Sequence, residues 1–569
     1  MIKRKCISWF ISLFLLSIIS AADILNTDGT INVRELNLQL QTSGASWIAV
    51  ENEFTRMTTE SRGNFLGNTI PDRALPEADK REFRGAKTFD PHHDWRDISG
   101  DNYTTPIRDQ SACGSCWAFA VCAVAEAGIN IAENMPALDI DLSEQYLVST
   151  CCSHGDCNGG YLYYTFQFLD SDGVPQETCY PYIASNSPCG NRCPNWLSDM
   201  RSFGSPFWLP MSASVYQVKA AVLNAPVAAG MEVYDDFFSY SEGVYTHIWG
   251  GLAGYHGVVI VGWDDADSCW ICKNSWNTWW GESGWFRIKW GECTIEDWIC
   301  GIIYEPFAFS AGADTTIDLG NDAILQGSAS FGSPDRASSP GYDASWIPPE
   351  SLDDPLSFIT VAHPIAPTYF KLTASDLNVS RVDTIEVIVR VSFGVESDYG
   401  SPFPSDGDKG VVGELVSAYV DSLIEFEPGR YVRCVGYNIQ GADPLCGDSN
   451  RVSFAPTGYD TITWLWEEVL CISSKDGNDS VCLMASPNPC NPMAKITFSS
   501  AINEHVRLTI IDLSGKIVAM LLDTKLDAGV HEIYWDGSDM SDRNAPAGAY
   551  FAVLQIGESR QKVKLLLVR

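Results

Sequence analysis

With 569 residues, the chain is too long for a single hydrophobic core, and domains of ~150 residues put the expectation at three or four units. Its formal charge of −35 excludes nucleic acid and anionic membrane as natural partners, because phosphate binding relies on clustered Lys and Arg. The opening MIKRKCISWFISLFLLSIISAAD sets Lys3, Arg4 and Lys5 before an apolar run over 7–19 and the small residues Ser20, Ala21 and Ala22, the pattern of a secretory signal peptide over residues 1–22. A membrane anchor needs roughly 18 or more apolar residues, longer than this run. On an exported chain, the cysteines that remain once Cys6 leaves imply disulfides.

Residues 23–88 follow without a cysteine. In VRELNLQLQTSGASWIAVENEFTRM, Leu36, Leu40, Trp47 and Phe54 recur at roughly helical spacing, and by position this is a pro-segment. Residues 89–310 are rich in Cys, Trp and Gly and read as the main domain. The Gly, Ser and Pro of 326–350 predict a linker or long irregular connection. Alternation in DTIEVIVRVSF predicts a half-buried strand within a β-rich unit over 311–485. The last unit, 486–569, repeats that pattern in VRLTIID, KIVAML and AYFAVLQI, which points to a small β-sandwich.

The chemistry starts from CGSCWAFAVCAVAE. Thirteen cysteines in 89–310 is an odd number, so at least one stays unpaired if all bridges are internal. Cys116 is the candidate. The Ala-rich, apolar WAFAVCAVAEAGINIA predicts a buried helix beginning near Ser115. A thiol at a helix N-terminus meets unpaired amides that stabilise the thiolate and lower a pKa of ~8.5. Cys113 and Cys122 fit structural roles better. A cysteine nucleophile needs a base, and the base needs an orienting group. Of eight histidines, His256 in GYHGVVIVGWDD sits at the start of a buried-strand pattern, and Asn274 in CWICKNSW follows on the next.

CGSCWAF, GYHGVVIVGW and KNSW, in that order, resemble the papain-like cysteine proteases, whose C-G-[SA]-C-[WY] signature is followed by His and Asn downstream. DWRD at 94–97, SEQYLV at 143–148, CNGGY at 157–161 and WGESGWFRIKWG at 280–291 agree, over roughly residues 89–305. The resemblance implies an α+β fold of two lobes, a helical one bearing Cys116 and a β-barrel-like one bearing His256 and Asn274. It implies Cys116 as nucleophile, His256 as base and later acid, Asn274 as the group that fixes the imidazole, and Gln110 as oxyanion donor with the Cys116 amide. Trp276 would shield the His256–Asn274 pair. Gly159 and Gly160 would form the wall along which an extended substrate pairs, and Glu305 would floor the pocket for the second residue upstream of the cut. Bridges Cys113–Cys157 and Cys151 to Cys189 or Cys193 are implied in the same way. Ser111, Gly257, Asn277 and Trp279 depart from the family's pattern. The bulky Trp279 would narrow the cleft on the leaving-group side.

CCSHGDC, with Cys151, Cys152, His154 and Cys157, also has the ligand types of a zinc site. Export and the resemblance favour disulfides, so no cofactor is expected. SPNPCNPMAKITF, VRLTIIDLSGKIVAML and PAGAYFAVLQIG resemble the C-terminal type-IX sorting or FlgD-like immunoglobulin modules of bacterial secreted proteins. That implies secretion machinery or a cell-surface anchor as a partner, with Cys490 a free thiol and Cys434–Cys446 and Cys471–Cys482 the simplest pairs. Protein or peptide substrates, and the chain's own pro-segment as inhibitor, complete the expected partners of a secreted endopeptidase. The alternative is a catalytically silent or adhesive surface protein built on the same fold.

Overall fold

The computed structural model describes residues 24–71, 75–83, 88–138, 140–338, 341–428, 430–473, 480–486, 488–500, 504–527 and 529–568. The signal-peptide stretch 1–22 lies outside the described residues. No described helix is long and apolar enough to cross a membrane.

In the N-terminal segment, Asn32 caps helix α1, Val33–Ser43, its side chain accepting from the Glu35 amide, and Gly44 at φ +72 ends it. The helical spacing of 33–57 therefore carries on for only three turns. Trp47 and Phe54 are buried by other means, in an extended stretch that pairs Ile48–Ala49 with Tyr240–Glu242 and in a short turn at Phe54–Arg56. Side chains from Ile24 to Phe54 share one continuous core with residues up to Tyr304.

Helix α2, Cys116–Ala132, runs through the centre of that core with nearly every side chain buried, as its unbroken apolar composition requires. Beside it lies α3, Leu162–Ser171. The opposing sheet consists of β1 Pro206–Trp208, β2 Val227–Tyr234, β3 Leu252–Asp264, β4 Cys269–Lys273, β5 Trp285–Lys289 and β6 Trp298–Ile302. Its strand order is β1-β6-β2-β3-β4-β5, closed by Val244–Tyr245. Packing α2 on β3 brings the start of the helix against residues 256–257.

Beyond Tyr304 the regular elements of the described residues are strands, apart from a short turn at Pro349–Ser351. The stretch read as a linker, 326–350, is instead part of a folded unit. Strand Asp343–Ile347 pairs with Thr368–Ser375, and Trp346 is 1% exposed in a core with Leu325, Phe370 and Val387. The predicted strand over DTIEVIVRVSF lies within Ser380–Ser392, with Ile385, Val387, Val389 and Val391 facing inward. A separate core joins Phe393, Tyr437, Phe454 and Trp464, so 311–485 holds more than one centre of packing. In the last unit, a four-stranded sheet formed by Glu504–Asp512, Ile517–Leu526, Gly548–Ile556 and Ser559–Leu567 shares a core with Ala494–Ser500 and Trp535.

Three bridges form among the described residues: Cys113–Cys157, Cys151–Cys189 and Cys179–Cys193. Seven cysteines of 89–310 are free and buried, so the odd count singles out Cys116 far less than the sequence implied. Cys434 and Cys446 are not paired. The register sets Asn438, not Cys434, opposite Cys446, which leaves the two thiols four residues apart along the strand, ~13 Å. Cys471 and Cys482 face each other in the backbone ladder, but their side chains lie outside the described residues. Cys490 is free and buried.

Candidate active site

Cys116 is the first residue of α2, and its sulfur accepts a hydrogen bond from the Gly257 amide at 3.3 Å. The amides of Trp117, Gly67 and Asn68 lie close enough to favour the thiolate as well, although those of Gly67 and Asn68 donate to the Tyr255 carbonyl. Ser115, at the N-cap position, does not cap the helix. Its hydroxyl meets Tyr182 Oη at 2.6 Å, and Tyr182 in turn donates to the Gln110 carbonyl. Of the first-turn amides, that of Trp117 is left beside the sulfur, while those of Ala118 and Phe119 donate to the Ser115 carbonyl.

His256 lies on β3, opposite Met231 of β2, and is fully buried. Asn274 follows the last residue of β4. Its Oδ1 is 2.7 Å from His256 Nε2, which fixes the ring and leaves Nδ1 without a hydrogen-bond partner. Trp276, itself buried, lies 4.6 Å from the imidazole, ring centre to ring centre. Gln110 is held at both ends of its amide: Ser275 Oγ donates to Oε1 at 2.6 Å, while Nε2 donates to the carbonyls of Cys113 and Phe65.

Residues 65–69 of the N-terminal segment occupy this centre. Gly160 donates to the Gly67 carbonyl and accepts from Thr69, each at 2.8 Å. Gly159 has φ +132, and a Cβ there would press on the Gly67 carbonyl; one on Gly160 would enter the Trp117 ring, and one on Gly67 would overlap the Gly114 carbonyl. Two backbones can run this close only because all these positions are glycine.

Burial decides the charge states. The sequence predicts a lowered thiol at the head of α2. Instead the desolvation of Cys116 under residues 65–69 outweighs the amides and raises the thiol to about 11. The same burial lowers His256 to about 4, against the favourable bond to Asn274. Both groups are neutral near pH 7 while the segment is in place. Behind Asn274, Lys273 donates to Thr105, which donates to the buried Glu126, and burial lowers Lys273 to about 8.

The structure thus brings together Cys116, His256, Asn274, Gln110, Trp276, Gly159 and Gly160, but not Glu305. After β6 ends at Ile302 the chain turns away toward the next unit, burying Phe307 in its core, and Glu305 is exposed with its carbonyl accepting from Gly332. The zinc-type cluster is likewise dispersed. Cys151 and Cys157 are bridged to different partners, and His154 stacks on Tyr164. Sequence reasoning missed Ser275, Tyr182 and Phe65. Ser275 adjoins Asn274 and could have been found as its neighbour, but nothing local marks the other two.

The cavity beside Gly160, about 420 Å³, is walled by Leu162, Tyr163, Trp208, Met211 and Trp298, and residues 68–71 and Leu75 form its remaining side. Here Tyr163 donates to Asp79 and Trp208 Nε1 to the Pro76 carbonyl. At the opposite end, Trp47 Nε1 donates to the Thr246 carbonyl, and Arg62, wholly buried, ion-pairs with Asp235 at 3.2 Å.

A family model for papain family cysteine proteases matches residues 89–303. Among curated proteins, cathepsin B-like cysteine proteinase 4 of Caenorhabditis elegans is 34% identical over 282 residues, covering 42% of this chain and 82% of that protein. Cathepsin B-like CP2 of Giardia intestinalis is 36% identical over 208 residues, 34% of this chain and 67% of the relative. Among solved structures, digestive procathepsin L2 from Tenebrio molitor larval midgut is 26% identical, with 48% of this chain and 88% of that one covered at a TM-score of 0.42.

Proposed function

The chain belongs to the papain family of cysteine proteases, and we propose that it is a secreted proenzyme of an endopeptidase whose reacting groups are Cys116 and His256. In the trimmed enzyme, Cys116 Sγ gives its proton to His256 Nδ1 and attacks the scissile carbonyl, while Asn274 holds the ring through Nε2. Gln110 Nε2 and the Cys116 amide receive the oxyanion; one such donor is commonly worth ~3 kcal/mol. His256 then returns the proton to the leaving amine, and the peptide bond gives way to a thioester. A water, deprotonated by His256, hydrolyses that thioester, releasing the acid and restoring the thiol. The shielding and wall roles of Trp276 and of Gly159 and Gly160 belong to the same proposal.

One observation carries this reading: a backbone already lies across the centre, with the Phe65 carbonyl on Gln110 Nε2 at 2.9 Å and Gly67 paired with Gly160. The described segment continues on both sides, back to Phe54 and on to Pro71, and a cleft that accepts chain in both directions favours endopeptidase action. Held there, residues up to about 88 act as the enzyme's own inhibitor until removed. A sorting or anchoring role for 486–569 is proposed on its motif resemblance and its self-contained core.

The test is labelling of the trimmed protein with an epoxide or vinyl-sulfone thiol trap, followed by mapping. The expected result is one modified residue, Cys116, together with loss of peptide cleavage, and the same loss in Cys116→Ala. Modification of another free cysteine, with cleavage intact, would overturn the assignment.

A further inference from the structure

Trp279, which stands where the family's pattern has glycine, is held by a fixed loop. Asn277 adopts φ +61, its amide donates to the Arg108 carbonyl, and its Nδ2 donates to Asp109 Oδ2 at 3.1 Å. The indole stays 38% exposed even though the Phe54 ring lies 5.1 Å away, centre to centre. Phe54 itself is fully buried, with Phe65 of its own segment edge-on at 4.8 Å and a cup of Trp276 at 4.9 Å, Phe238 at 5.4 Å and Trp279 around the rest of its ring. Trp276 and Phe238 stack face to face at 5.3 Å and 10°, and the Phe54 ring is inclined to them by 62° and 57°.

The position of this cup along the cleft follows from the order of the segment that fills it. Phe54 sits in the cup, Phe65 on Gln110, Gly67 and Asn68 over the sulfur, and Thr69 on Gly160. The cup and the glycine wall therefore flank Cys116 on opposite sides. On the reading proposed above, the wall takes the acyl part of the substrate, which leaves the cup to the leaving-group part.

We propose that Phe238, Trp276 and Trp279 form a subsite for an aromatic side chain, filled by Phe54 in the proenzyme and by a substrate residue on the leaving-group side in the trimmed enzyme. Trp279 is the specificity-determining member. Offset and edge-on ring contacts favour an aromatic ring there over an aliphatic chain, and the cation that lies against the cup, Arg62 at 5.5 Å over the Phe238 ring, belongs to the N-terminal segment. The inference rests on the protease reading.

The experiment compares trimmed wild type and Trp279→Gly on peptides with a constant acyl side and Phe, Leu, Ala, Gly or Lys at the first two leaving-group positions. Wild type should prefer Phe to Gly at one of them by roughly 10- to 100-fold in kcat/KM, expressed in KM, and Trp279→Gly should bring the ratio to within about threefold. A second variant leaves the mature enzyme untouched: full-length Phe54→Ala should label at Cys116 roughly tenfold faster than wild type, with Phe54→Trp restoring slow labelling. Cleavage by wild type without aromatic preference, a preference that survives Trp279→Gly, or Phe54→Ala labelling at the wild-type rate would each overturn the subsite while leaving the protease intact. Absence of both cleavage and Cys116 labelling in trimmed wild type would overturn the protease reading, and the subsite with it.

Discussion

Two of the places at which the protease region is covered by its own chain are pinned by Arg62 and Arg381, and they differ in what is covered. Arg62 of the N-terminal segment is wholly buried, pairs with Asp235, and donates to the carbonyls of Gly29 and Met57 and to Thr59 Oγ1. Arg381, from the strand Ser380–Ser392, is 39% exposed and reaches Glu133, a buried carboxylate at 2.7 Å. Glu133 is the C-cap of α2, the helix whose first residue is Cys116. A carboxylate there faces the negative end of the helix dipole, which is unfavourable unless a cation offsets it. Tyr304 and the Phe307 amide also donate to it. One attachment lies over the reacting groups and the other at the far end of the same helix. Similar electrostatics therefore hold a cover over the proposed site in one case and a contact at the opposite end of the helix in the other.

The largest expected contrast is in thiol reactivity. With Cys116 near pKa 11 and His256 near 4, the full-length protein at pH 7 has only about one thiol in 10⁴ ionised, and its alkylation rate should climb with pH toward about 11. The trimmed protein, rehydrated and with the helix amides still in place, should react orders of magnitude faster at pH 7 and level off at lower pH. Equal rates, measured with iodoacetamide across pH, would show that the segment does not cover the thiol.

Next come the arginines. Arg62→Met breaks a buried pair, a loss of about 3 kcal/mol, and should speed labelling of the full-length chain roughly 100-fold. Arg381→Met, discounted for its exposure to about 1 kcal/mol, should lower Tm by a few degrees and leave that labelling rate unchanged. If Arg381→Met accelerates labelling as much as Arg62→Met, the contact at the far end of the helix is coupled to the cleft and the contrast fails.

Short motifs were legible wherever chemistry and local geometry coincide. The Ala-rich run after Ser115 forms its helix within a residue of the expected start, because apolar composition on every face leaves such a helix nowhere but the core. Alternation in DTIEVIVRVSF sorted its faces for the same reason. Elsewhere, local patterns pointed the wrong way. Helical spacing from Leu36 to Phe54 hid the break at Gly44, and the Gly, Ser and Pro of 326–350 hid a strand that Trp346 anchors. Cysteine pairing in 434–446 depended on strand register, which a count cannot supply.

The sequence by itself determined the Cys, His and Asn of the proposed site, their order along the chain and the helix that carries the sulfur, since these depend on composition and spacing over a few residues. Tertiary structure alone decided that Glu305 faces away, that Ser275 and Tyr182 hold Gln110 and its loop, and that Cys116 is neutral. Each of these depends on which distant segments meet and how much water they exclude. The sulfur at residue 116 is neutral because chain from residues 65–69 shuts out water, against the amides of Gly67 and Gly257 that favour the thiolate, a balance that only folding brings about.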